Sequence, residues 1–341
     1  MLEFIAIFIV SLLTVILATP KIIFLMKRRG FVGKDMNKFS KPKVAELGGI
    51  AIFLGFAFGA VFAIFLSTYL GLELDLTVFL AGLLTIILIG FIGAFDDVIG
   101  WKKGIRQWQH ALFPVIAALP LMAVRVTNPP IALPFIGLLP SEFVLPFGVV
   151  SFGLIYSLIF VPIGVTGASN ATNMLAGLNG LEAGLGIFII GTLGVISFMT
   201  GMIEAVIISI AMVGALIGFL KYNWYPAKIF GGDGLTLMVG ATIAVVSIIG
   251  NMEKIGIVLL VLFFIELYLK SKTRFQGESF GQPTKNGFLL APKNKVSLTH
   301  YFMFGKATEK QIVKRILLTQ FLICILVFVT AYSNHIGIIM I

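Results

Sequence analysis

The chain has 341 residues, of which 59% are hydrophobic and 12% charged, and its formal net charge is +10. A soluble domain carries about twice that charged fraction, so composition excludes a soluble protein and marks an integral membrane protein. The single cysteine, Cys324, excludes an intrachain disulfide and a cysteine metal cluster, and His110, His300 and His335 lie far apart, which argues against a histidine-only metal site.

Apolar runs of about 20 residues read as membrane-crossing helices. Barrel strands of alternating residues are absent, so self-satisfied helices remain. Ten spans follow in chain order: 3–26, 47–70, 76–95, 108–126, 146–167, 183–200, 203–221, 235–250, 253–270 and 315–334. The first has no basic residue before it and is too long for a signal peptide. Lys27, Arg28 and Arg29 follow it, so it reads as a retained helix with its amino terminus outside. The inside loops are then 27–46, 96–107, 168–182, 222–234 and 271–314, and the carboxyl terminus falls outside. With their edges these loops hold 22 of the 25 Lys and Arg residues. That asymmetry is the positive-inside signal. It accounts for the basic charge without a nucleic-acid partner. The expected fold is thus an all-α membrane protein, one polytopic domain over 1–341, with membrane lipid around it and 271–314 as its large cytosolic loop. The outside stretch 127–145, Pro-rich and apolar, reads as a loop lying at the interface.

Polar motifs punctuate the inside face. In "GKDMNKFSKPKVAELGGI" (33–50), lysines interleave with Asp35, Asn37 and Glu46. A basic anchor explains the lysines but not Glu46-Leu47-Gly48-Gly49 at the start of a span. In "GAFDDVIGWKKGIRQWQH" (93–110), Asp96 and Asp97 end a span and Lys102, Lys103 and Arg106 follow. Adjacent carboxylates repel unless a cation or proton intervenes, and Mg²⁺ bridging carboxylate and phosphate oxygens is one solution. Interfacial solvation is the bland alternative.

In "NATNMLAGLNGLEAG" (170–184), Asn170 and Asn173 share a helical face, and Gly180 and Gly184 form a GxxxG pair that suits close helix packing. In "KYNWYPAKIFGGDGLTL" (221–237), Pro226 breaks a helix, Gly231 and Gly232 permit unusual backbone angles, and Asp233 opens the next span, where an acid suits the positive helix end. In the last loop, "GFLLAPKNKVSLTHYF" suggests a small β-hairpin turning at Pro292-Lys293-Asn294. Thr308 and Gln311 are spaced as a capping box before the final helix.

Taken together, and in this order, the motifs resemble the polyprenyl-phosphate N-acetylhexosamine-1-phosphate transferases over nearly the whole chain. "FDDVIG" is similar to the family's paired-aspartate motif. "NATNMLAGLNGLEAG" and "YPAKIFGGD" are similar to the eukaryotic dolichyl-phosphate branch, whereas the bacterial branch usually has Asp where this chain has Ala176 and Asn179. The resemblance implies ten transmembrane helices around a cytosolic active site, Mg²⁺ (with Mn²⁺ as an alternative), a UDP-sugar donor and a polyprenyl or dolichyl phosphate acceptor. It implies Asn173 and Asp233 as metal ligands, with Asp96 and Asp97 organising metal and acceptor phosphate. Arg106 and Lys38 would lie near phosphates. Phe230 would stack on uracil, with Gly177, Asn179 and the Glu46 region completing the nucleoside pocket. The family's histidine-containing motif near the sugar is missing from "KTRFQGESFGQPTKNG", where Arg274 is the weak match. A homodimer is compatible with the family.

The implied reaction is attack of a lipid phosphate on the β-phosphorus of UDP-GlcNAc, with UMP leaving. A dianionic phosphomonoester needs no strong base, so Asp96 is expected to organise rather than deprotonate. Other UDP-sugars remain open. So does a transporter or lipid flippase, whose charges would lie near mid-membrane rather than at span ends. Eukaryotic-type motifs on a compact chain suit an archaeal plasma membrane, with the endoplasmic reticulum as the alternative.

Overall fold

A computed structural model describes residues 1–99, 107–124, 132–133, 137–138, 142–145 and 148–335. Seven of the ten predicted spans appear there as helices long and apolar enough to cross a membrane: Leu2–Arg29, Gly49–Leu70, Leu76–Val98, Gly153–Met174, Leu181–Thr200, Ile203–Asn223 and Glu309–Ser333. The protein is a multi-pass membrane protein.

The other three predicted spans are shortened or broken. The 108–126 run divides into Gln107–Ala117 and Leu119–Ala123, with Pro120 in the first turn of the second piece. Proline has no N–H to donate and clashes with the preceding turn, so it cannot continue a helix smoothly. The 253–270 run divides at Leu260 into Glu253–Leu259 and Val261–Ser271. The 235–250 run is the 17-residue helix Asp233–Ile249.

That short helix is the axis of the molecule. Every residue from Gly234 to Ile249 is buried. Small residues let its neighbours approach closely: a Cβ at Gly240 would lie 2.3 Å from the Ala168 carbonyl oxygen. The Thr172 hydroxyl donates to the Thr236 carbonyl at 2.8 Å. Leu76–Ile99 and Val161–Met174 pack along its length. A second group, Leu2–Arg29, Gly49–Leu70 and Ile203–Asn223, packs beside it.

Three expectations about boundaries are corrected. The span placed at 146–167 starts later, because Glu142–Leu145 and Gly148–Ser151 pair as an antiparallel hairpin. It also ends later, at Met174, so the loop placed at 168–182 starts only after Asn170 and Asn173, which lie on the helix their spacing suggested. Asn170 feeds its own helix, donating to the Thr166 carbonyl at 2.9 Å. In the last loop the hairpin does not turn at Pro292-Lys293-Asn294. Gln282–Pro283 pairs with Phe288–Leu290 across a turn at 284–287, and Phe288–Leu290 pairs on its other edge with Ala307–Thr308. Ser297 caps the next element, the helix Leu298–Phe302, by accepting from the Thr299 N–H. A capped helix start consumes the segment that would have made the second strand. The predicted capping box holds: Thr308 N donates to Gln311 Oε1 at 2.9 Å and Gln311 N to Thr308 Oγ1 at 3.4 Å.

Candidate active site

Four polar motifs meet at one end of the bundle, because each flanks a helix terminus there. The first contact is backbone to backbone. Ala45 accepts from Phe230 N at 2.8 Å, and Gly48 and Gly49 donate to the carbonyls of Phe230 and Gly231, both at 2.8 Å. This explains the Gly-Gly pair. A Cβ at Gly48 would lie 2.6 Å from the Phe230 oxygen, and one at Gly49 would lie 2.7 Å from backbone atoms of Gly234 and Leu235. Only glycine lets these two chain segments touch.

The second contact orders the paired aspartates. Asp97 accepts from Asp233 N at 2.8 Å and from Gly234 N at 3.0 Å. It therefore caps the Asp233–Ile249 helix from another element. Exposed N–H groups and the dipole of a helix start favour such a carboxylate. The sequence suggested Asp233 for that electrostatic place, but Asp233 is the first helical residue and its carboxyl is turned elsewhere, in hydrogen-bond contact with Asp96 and Asn173. Gly232, at φ +70°, makes the approach feasible, since a Cβ there would lie 2.4 Å from Asp97 Oδ2. Asp96 is buried. The result is a compact polar set: the carboxyls of Asp96 and Asp233 with the Asn173 amide against them, and Asp97 fixing the helix that carries Asp233.

These donors suit a hard divalent cation. Mg²⁺ usually takes one or two carboxylates and completes its octahedron with water and substrate phosphate. Among the described residues no group of three or more His, Cys, Asp or Glu forms a ready-made metal cage, which is compatible with an ion completed by substrate.

Beside this set lie two cavities with shared walls. The smaller, of about 110 Å³, is lined by Asn173, Ala176, Asp233 and Thr236 among others. The larger, of about 280 Å³, is lined by Glu46, Gly177, Asn179, Phe230 and Phe280 among others. Glu182, Asn223, Gly231 and Gly232 border both. Of the residues singled out from sequence, Glu46, Gly177, Asn179 and Phe230 thus share one cavity, and Asn173 and Asp233 share the adjoining one. Lys38 is held in ion pairs with Asp35 and Glu309. Arg274 is exposed, in a turn after the Val261–Ser271 helix, and lines neither cavity. Arg106 lies outside the described residues.

The loop 175–180 is stitched from several sides. Gly177 N donates to Glu182 Oε1 at 2.6 Å, and Gly180 N donates to Asn223 Oδ1 at 3.1 Å. Gly180 is therefore the cap of the Leu181–Thr200 helix, at φ +81°, rather than half of a helix-packing pair. Within the helix, Gly184 packs against Leu317, while Gly180 lies against Trp224 and Leu220.

Several residues of this site were missed from sequence. Phe280 is the clearest: a Cβ on Gly177 would lie 2.9 Å from its ring. Its neighbours pin it. Asn37 bridges the two loops, donating to the Gly177 carbonyl at 2.7 Å and accepting from Gly281 N at 3.1 Å. Thr299 Oγ1 donates to the Ser279 carbonyl at 2.7 Å. His300 is buried. Its Nδ1 accepts from Val296 N at 3.2 Å, which leaves Nε2 to donate to the Phe280 carbonyl at 3.0 Å. Burial holds this imidazole below the usual histidine pKa, consistent with the neutral tautomer. Glu266 anchors the same loop, accepting from Ser297 Oγ at 2.8 Å and Leu298 N at 2.6 Å. No spacing rule joins positions this far apart in sequence.

Comparison with known proteins closes the question of family. The sequence pattern of glycosyl transferase family 4 matches residues 79–251. A protein of Sulfolobus acidocaldarius is 38% identical over 89% of both chains. This chain belongs to glycosyl transferase family 4. The Sulfolobus acidocaldarius relative carries the provisional name UDP-N-acetylglucosamine–dolichyl-phosphate N-acetylglucosaminephosphotransferase. A relative in Saccharolobus solfataricus, 37% identical over 84% of both chains, has the same provisional name. The phospho-N-acetylmuramoyl-pentapeptide-transferase of Lactiplantibacillus plantarum is 36% identical over 61% of this chain and 62% of its own. Family 4 membership makes the chain a transferase.

Proposed function

We propose that this transferase moves GlcNAc-1-phosphate from UDP-GlcNAc to a dolichyl-type polyprenyl phosphate. The observation that carries the reading is the adjacency of the polar set Asp96, Asp233 and Asn173 to the cavity lined by Phe230 and Asn179. A nucleotide sugar requires that order: a flat apolar base, then a pyrophosphate beside a cation. The names of the two archaeal relatives support donor and acceptor.

In the reaction, an oxygen of the lipid phosphate attacks the β-phosphorus. The bond to the bridging oxygen breaks, and UMP leaves with the bond's electrons. The acceptor is largely dianionic at neutral pH, so no strong base is required. Charge is the difficulty, and positioning with electrostatic stabilisation supplies most of the catalysis. Asp233 and Asn173 would hold Mg²⁺, with Mn²⁺ as a substitute, which when bound neutralises pyrophosphate charge. Asp96 would orient the acceptor side, Asp97 would hold the Asp233 backbone in place, and Arg106 would face phosphate. Phe230 would stack on uracil, with Gly177, Asn179 and Glu46 around the nucleoside.

We read the interrupted 107–123 and 253–271 helices and the 233–249 helix as completing ten passes, with the site on the cytosolic face of an archaeal plasma membrane. The 22 basic residues in and beside the inside loops expected from sequence support the orientation. The acids lie at helix ends rather than at mid-depth, which disfavours a transport path. Apolar grooves, such as the one formed by Leu88, Phe91, Phe95 and Ile116, suit an isoprenoid chain. A panel of radiolabelled UDP-sugars with polyprenyl phosphate tests the reading. UDP-GlcNAc is expected to give lipid product, abolished by a tunicamycin-type nucleoside inhibitor. Product from another UDP-sugar alone would replace the donor.

A further inference from the structure

The family resemblance implied that Lys38 lies near phosphates. Its surroundings assign it other work. Lys38 Nζ lies 3.0 Å from Asp35 Oδ2, forms a second ion pair with Glu309, and sits 4.2 Å from the centroid of the Tyr225 ring. Asp35 and Glu309 are both buried, at 4% and 2% exposure. Burying two carboxylates is costly unless they are paired and hydrogen-bonded, and one ammonium serves both.

Both carboxylates also grip the same residue. Asp35 Oδ2 accepts from Asn179 Nδ2 at 3.1 Å, and Glu309 Oε1 accepts from Asn179 N at 2.7 Å. Glu309 thereby holds the Asn179 backbone, and Asp35 fixes its side-chain amide. Flipping it would set Oδ1 against a carboxylate, where an acceptor meets an acceptor. The amide oxygen is thereby kept on the other side of the group, in a residue that lines the larger cavity. Meanwhile a phosphate approaching Lys38 would have to share the ammonium with two anions already bound to it.

We infer that Lys38, Asp35 and Glu309 are positioning residues that orient Asn179 for the base, and that Lys38 is not a phosphate ligand. The inference rests on the reading that this cavity takes a uridine nucleotide. It makes base recognition depend on the start of the last helix, which carries Glu309, and on the first loop, which carries Asp35 and Lys38.

The test is calorimetric binding of uridine, UMP and UDP-GlcNAc to the full-length protein in lipid nanodiscs. Lys38→Met leaves two buried carboxylates without their counter-ion, so the paired variant Lys38→Met/Glu309→Gln is measured as well, because it removes one charge together with its partner. The expected result is an equal loss for all three ligands, about tenfold or more, the scale of one charge-assisted hydrogen bond. Three results overturn the inference. The first is unchanged uridine affinity with weakened UMP and UDP-GlcNAc, which marks a phosphate contact. The second is a lowered melting temperature with all three affinities intact, which marks a structural role only. In the third, wild-type protein binds none of the three ligands, so the uridine reading of the cavity fails and the inference falls with it.

Discussion

Two clusters of carboxylates, within one end of the bundle, solve the same electrostatic problem in opposite ways. In the first, Asp35 and Glu309 share the ammonium of Lys38 and also accept hydrogen bonds from Asn179. That cluster is complete. In the second, Asp96 and Asp233 face each other with Asn173 beside them, while Asp97 is spent on a helix cap. Carboxyls held together in this way need a proton or a cation. The lesson is that buried charge alone does not mark a site of chemistry. The cluster that brings its own lysine is architecture. The cluster that leaves its acids facing one another is the one to which the proposed function assigns an ion and a substrate.

Substitutions can break this contrast, and the largest effect falls on the second cluster. Asp233→Asn is expected to lower turnover about a thousandfold, the scale of removing one electrostatic group from a transition state, with folding retained. Steady-state rates and a melting curve check it. Near-normal turnover in both Asp233→Asn and Asp96→Asn would end the assignment. Asp97→Ala should act on stability as well as rate, since it uncaps two N–H groups at the start of the most buried helix. A loss of about 1–2 kcal/mol is expected, as for other caps, read by denaturant or thermal unfolding in detergent. If Asp97→Ala lowered only turnover, Asp97 would be a ligand rather than a cap.

Smaller effects sharpen the picture at the larger cavity. Phe280→Ala removes a ring that packs on Gly177. It should raise the KM for the nucleotide sugar several-fold, about what one aromatic contact contributes, and leave kcat within about twofold. An unchanged KM would place Phe280 outside the binding surface. The smallest effect is a pH dependence through His300. Its pKa is lowered chiefly by burial, so the folded state takes up a proton less readily than the unfolded chain. Stability is then full above the ordinary histidine value of about 6.5 and declines as pH falls through it. Melting temperature against pH should show that decline, and His300→Gln should flatten it.

The sequence made some of this legible and hid the rest for physical reasons. Seven of the ten apolar spans and the Thr308–Gln311 capping box are local patterns, and the structure keeps them. The junction between Gly48-Gly49 and residues 230–234 was half visible: Glu46-Leu47-Gly48-Gly49 stood out as unexplained, but its partner strand could not be named. Which member of Asp96-Asp97 caps a helix depends on a contact 136 residues away. The Lys38–Glu309 pair spans 271 residues, and no periodicity reports it. Helix breaks at Ala118 and Leu260 escaped because hydropathy averages over a window. The 146–167 span slid because an apolar hairpin scores like the start of a helix.

The most direct measurement uses UDP-GlcNAc labelled with ³²P at the β-phosphorus, incubated with dolichyl phosphate and the full-length protein in the presence of Mg²⁺. The label is expected to move into the lipid fraction with one UMP released per lipid product, and excess EDTA is expected to stop both. Label retained in released UDP, with sugar alone transferred to lipid, or undiminished transfer in excess EDTA, would contradict the proposed transfer.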